Sequence, residues 1–173
     1  MTVDRKGRRR TTNFVTYASE SGGNKNANGN YASAATQFAL TPPDGKSLYV
    51  ERMIISLEDS GVFKAEGYGA IATGLTNGIR VQILGASDAV VLNCDDELAV
   101  TTNAGWGINN YDVVVKDWGS GNKLLLARWT FTKDHGQPLV LDARYGERLV
   151  ITLNDDCTDL LQHRFRLSGT IYG

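Results

Sequence analysis

The sequence predicts an all-β protein: an antiparallel, jelly-roll-like β-sandwich over residues 47–173, preceded by an extended N-terminal arm over residues 1–46. Three observations lead there. Short runs rich in Val, Ile, Leu and Tyr recur along the chain, separated by Gly, Asn and Asp turn formers. No stretch keeps a helical period for more than about two turns. The closing segment alternates with a period of two, the signature of a half-buried strand.

The first 46 residues read differently from the rest. Residues 1–10 hold Arg5, Lys6, Arg8, Arg9 and Arg10 against Asp4 alone, a balance of +4. The whole chain carries −1, so the remaining residues carry −5. The stretch that follows, "SESGGNKNANGNYASAAT", is polar and Gly/Asn/Ser-rich, with almost nothing to bury. By composition it is disordered alone and gains order against a partner. The basic residues suit an acidic neighbour better than nucleic acid. "DRKGRRR" could neutralise phosphates, but it lacks the interleaved aromatics that stack on bases.

From residue 47 the strands follow in order. "SLYVERMIISL" (47–57) is β-rich, and "GIRVQIL" (78–84) alternates Ile79, Val81 and Ile83 with Arg80 and Gln82. "YDVVVK" (111–116), "NKLLLARWTF" (122–131) and the short "QPLVLD" (137–142) come next. "ERLVITL" (147–153) sets Leu149, Ile151 and Leu153 on one face. The turns between are "TNG", "NAGWG", "WGSGN", "KDHGQ" and "ARYGE". About eight short strands with such punctuation indicate a sandwich. At the C-terminus, Leu161, His163, Phe165, Leu167, Gly169 and Ile171 form the inward set, and Gln162, Arg164, Arg166, Ser168, Thr170 and Tyr172 the outward one.

Chemistry has few candidates. "NDDCTD" gathers Asp155, Asp156, Cys157 and Asp159 in a turn before His163. Asp and Asn bond their own backbone in turns, which accounts for the cluster without a site. With "LNCDDE" (92–97) it offers carboxylates to Ca²⁺, yet neither loop has the spacing of a calcium loop. His163 beside Phe165 reads as a neutral, hydrogen-bonded core residue, and His135 in "KDHGQ" as a solvated one. A Cys157/His163 nucleophile pair would need both groups in hydrogen-bond reach across a turn. No nucleophile elbow, phosphate loop, zinc helix or dinucleotide fingerprint occurs. The expectation is a non-enzymatic protein without cofactor or metal. Trp106 and Trp118, flanked by glycines, are candidate surface contacts for a glycan or a protein, or else caps on the core. Trp129 lies within a strand and is expected in the core.

No run approaches the roughly 18 apolar residues of a membrane span. The basic start leads into "TTNFVTYASES", which has no apolar signal-peptide region. Synthesis in a cytoplasm is therefore expected, with Cys94 and Cys157 as reduced thiols.

The runs "VERMIISLEDSGVFKAEGYGAIATGLTNGIRVQI", "TTNAGWG", "YDVVVKDWGSGNKLLLARWTFTK" and "GERLVITLNDDCTDLLQHRFRLSGTIYG" together resemble small structural proteins of tailed bacteriophages, over about residues 47–173. The resemblance implies a virion component. Capsid decoration (cement) proteins of this type bind the major capsid protein, often as trimers, and similar sandwiches occur in tail and head–tail parts. A body of this kind needs no catalysis. It needs a rigid block and an arm that orders on binding.

Overall fold

The structure, a computed structural model, describes residues 11–20, 22–59, 77, 79–94, 111–117, 123–130 and 138–173. Among these residues eleven strands form two antiparallel sheets. They are β1 (Thr11–Tyr17), β2 (Ser19–Glu20), β3 (Thr36–Leu40), β4 (Ser47–Asp59), β5 (Ile79–Leu84), β6 (Val90–Asn93), β7 (Tyr111–Asp117), β8 (Lys123–Thr130), β9 (Leu139–Asp142), β10 (Arg148–Leu153) and β11 (Gln162–Tyr172). One sheet has six strands in the order β1-β11-β4-β8-β7, with β9 also on β4. The other has five, in the order β2-β3-β10-β5-β6.

The sandwich is built by the alternations that the sequence displays. On β11, His163, Phe165, Leu167 and Gly169 are buried while Arg166 is exposed. Leu161 falls outside that alternation: it precedes the strand and is half exposed, because its amide is bound to the Glu58 carbonyl before pairing begins. On β10 not only Leu149, Ile151 and Leu153 but also Val150 is buried, so both faces of that strand are covered. Facing residues of the two sheets meet in one core. Phe38 of β3 lies 5.7 Å from Phe165 of β11, ring centre to ring centre. Met53, Ile55, Val81, Leu149 and Ile151 surround them. Burying a large aromatic side chain contributes roughly 1.5–3 kcal/mol, so this contact is a principal tie between the sheets.

β4 is long and changes partner midway. Residues 47–50 pair with β9, and residues 52–59 pair with β8. Against β11 the register slips at the same place: Ser168 faces Arg52, and Gly169 faces Val50. Glu51 is thus the extra residue of a β-bulge. Gly169 is required there, since a Cβ would sit 1.8 Å from the Tyr49 carbonyl oxygen. Bulges bend a strand and re-aim its side chains.

The expected arm over residues 1–46 is corrected. Residues 11–20 and 22–46 belong to the sandwich. β1 pairs along its whole length with β11, from Thr11 opposite Tyr172 to Tyr17 opposite Arg166. β3 pairs with β10, and Ala18, Ala27, Tyr31, Phe38 and Leu40 are buried. The reason is physical: a segment poor in apolar residues still folds when the few it has enter a shared core and distant backbone supplies its hydrogen bonds. Residues 1–10, with Arg5, Lys6, Arg8, Arg9 and Arg10, lie outside the described residues. Four connections that would define a jelly roll, through residues 60–76, 95–110, 118–122 and 131–137, also lie outside them.

Candidate functional site

The closing acidic turn is the place where the sequence concentrates reactive side chains. Its first carboxylate, Asp155, is buried and accepts the Asn77 backbone N–H at 3.0 and 3.1 Å and the Asn77 side-chain amide at 3.1 Å. The same Asn77 amide donates to the Asn154 carbonyl at 2.6 Å. Asp156 accepts the Thr158 backbone N–H at 3.1 Å, the Thr158 hydroxyl at 2.7 Å, and the Asn30 amide at 2.7 Å. That is the short-range turn chemistry of Asp, extended across 126 residues by Asn30.

The polar loop of residues 24–31 is fastened to this turn and to β11. Ala27 donates its N–H to the His163 carbonyl at 2.6 Å, and the His163 N–H donates to Asn26 Oδ1 at 2.7 Å. Asn28 donates to the Leu160 carbonyl, Cys157 to the Gly29 carbonyl, and Tyr31 to the Asp155 carbonyl. Backbone groups of an irregular loop, which no regular ladder satisfies, thereby find partners on β11 and the turn before it.

His163 is fully buried, with Nδ1 2.9 Å from the Ala27 carbonyl oxygen. A carbonyl only accepts, so Nδ1 carries the proton of the neutral ring. Burial pulls the imidazole down to about 4, against the pull of that carbonyl, which favours the charged form. The ring packs 4.8 Å from Phe165. Cys157 is also buried, and burial pushes its thiol up to about 12, with the neighbouring Asp155 and Asp156 charges acting in the same direction. A thiol held protonated is a poor nucleophile, and an imidazole held neutral in the core is poorly placed to exchange protons with solvent. Both cysteines of the chain are buried, and neither is in a disulfide. Among the described residues no three His, Cys, Asp or Glu side chains converge for a metal ion.

The other expected site residues fall elsewhere. Arg5, Lys6, Arg8, Arg9 and Arg10 lie outside the described residues, as do Trp106, Trp118, His135 and the acidic part of "LNCDDE". Two features went unread in the sequence. The asparagines of "NKNANGN" act as fasteners, though their composition resembles a linker. The outward positions of β4 and β11 carry cations, a signal present in the alternation of Arg164 and Arg166. Compared with known proteins, the chain matches no family model, and no curated protein matches it.

Proposed function

We propose that the chain is a non-enzymatic structural component of a bacteriophage virion that decorates and cements the capsid by binding the major capsid protein, as a homo-oligomer such as a trimer. One observation carries the reading furthest. Of the side chains with reactive chemistry, Asp155, Asp156 and His163 are engaged in hydrogen bonds that hold the turn, the polar loop and the core together, and the Cys157 thiol is buried. A body built this way serves as a rigid block. The cationic residues 1–10 precede the first described strand in sequence and would supply a charged tether, whose contribution to binding weakens as salt rises. The resemblance over residues 47–173 supplies the virion context.

The test is fractionation of lysates from infected cells. The chain should co-purify with intact capsids and be released with the major capsid protein. Removing residues 1–10 should leave a folded protein that attaches to capsids less well, with the deficit largest at low salt. A chain found only in the soluble fraction would sink the reading. A chain confined to tails would move it to a tail or head–tail role.

A further inference from the structure

Among the described residues, the outward face of the six-stranded sheet bears a band of cations that outnumber the two carboxylates beside them, Glu51 and Glu58. On β11, Arg164 and Arg166 point away from the core, and on β4 so does Arg52. Register places Arg166 opposite Tyr17 on one side and Ile54 on the other, and Ser168 opposite Arg52. Diagonal neighbours on adjacent strands lie about 7–8 Å apart, so Arg52, Arg164 and Arg166 form one continuous patch. Lys25 joins it from the polar loop: its ammonium lies 6.0 Å from the centre of the Tyr17 ring, and the Arg164 guanidinium 5.9 Å from the same ring. Among the described residues none of these four cations forms an ion pair. The ion pairs found there join Arg144 to Asp142 and Arg148 to Asp88. Gathering like charges on a body that is otherwise net acidic costs self-repulsion, which a complementary surface relieves.

The bulge at Glu51 adds a shape to the charge. Beside it lies a cleft of about 300 Å³, lined among others by Asn13, Val15, Glu51, Arg52, Thr130 and Ser168. Glu51 accepts the Thr170 hydroxyl at 3.2 Å, a hydrogen bond that leaves its negative charge in place. An incoming carboxylate would find the Arg52 guanidinium, the Asn13 amide and two hydroxyls as donors, with the Glu51 carboxylate as the one like charge among them.

We propose that this face docks on a carboxylate-rich surface of a partner protein. The proposal deepens the reading above and rests on it only for the identity of that partner. Nucleic acid fits less well. Tyr49 and Tyr172 pack against each other at 4.3 Å, and Tyr17 is flanked by two cations, so these rings are already engaged rather than free to stack on bases.

The experiment uses the full chain with Arg5, Lys6, Arg8, Arg9 and Arg10 changed to Ser, so that the leader does not contribute. The probe is fluorescein-labelled poly-L-glutamate, followed by anisotropy, with oligothymidylate as a second probe. Binding to poly-L-glutamate should weaken with salt. The pair Arg52→Glu and Arg166→Glu should reduce affinity about tenfold or more at low salt. Arg80→Glu, on the five-stranded sheet, should cost far less. Thermal midpoints establish that each variant is folded. The proposal is overturned if the paired reversal leaves affinity unchanged, if Arg80→Glu costs as much, or if oligothymidylate binds more tightly than poly-L-glutamate. Absence from capsids with this binding intact would remove the virion reading and leave the docking face. Presence on capsids of the paired reversal at full occupancy would do the opposite.

Discussion

Two regions of this molecule are held by different forces. Between the sheets, Phe38, Met53, Ile55, Leu149, Ile151 and Phe165 exclude water from one another. At the end of the sandwich, the loop of residues 24–31 is held to the turn of residues 154–163 by backbone and amide hydrogen bonds, with the His163 imidazole at the seam. The first region depends on area and shape and is indifferent to protons. The second depends on donors and acceptors being in the right protonation state, and its reserve of stability varies with pH. One chain thus has an insensitive centre and a proton-sensitive end.

The largest expected effect breaks both regions together. Deleting residues 1–46 removes β1, β2, β3 and the polar loop, and so strips Phe38 from the core, Asn30 from the Asp156 carboxylate and the Tyr31 N–H from the Asp155 carbonyl. That truncation should show no cooperative urea transition, whereas deleting residues 1–10 should leave one. Next comes the core alone. Phe165→Ala should lower unfolding free energy by about 3–5 kcal/mol, as read from denaturation midpoints.

The proton-sensitive end should respond differently. The folded His163 sits near 4 and the unfolded imidazole near about 6.5, so between those values the unfolded chain binds a proton that the folded chain refuses. Stability is therefore complete above the unfolded value and falls as pH drops through the window, by about 3 kcal/mol in total. His163→Gln keeps a donor for the Ala27 carbonyl and lacks the titration. Its denaturation midpoint should lose that acid slope, and an unchanged slope would show that another group is responsible. Smallest is the outer fastening. Asp155→Ala frees the Asn77 donors and should cost about 2 kcal/mol, with little change in the far-UV spectrum.

The parts that could be read in the sequence share a property. β4, β5, β7, β8, β9, β10 and β11 each carry their own apolar pattern, and a period of two announces both a strand and its buried face. The position of His163 and the turn role of Asp156 follow from that local reasoning. β1 and β3 were hidden for the opposite reason. "TTNFVTY" and "TQFAL" are rich in β-branched or aromatic residues, but they flank a run of Gly, Asn and Ser whose composition dominates any window. The order of that run comes from groups more than a hundred residues away, such as Asn28 on Leu160 and Asn30 on Asp156. Pairing at such separations leaves no local trace. The cationic face was half visible: the alternation assigns Arg164 and Arg166 outward, but only the register of β4 brings Arg52 beside them.

The antiparallel match of Thr11 with Tyr172 has a practical consequence. The two strands lie side by side at that point, so a brief linker from Gly173 to Thr11 would close a hairpin within the existing sheet. A circularly permuted chain of this kind, lacking residues 1–10 and reopened in the exposed turn around Asp44 and Gly45, should keep the sandwich and offer a new pair of ends for fusing cargo.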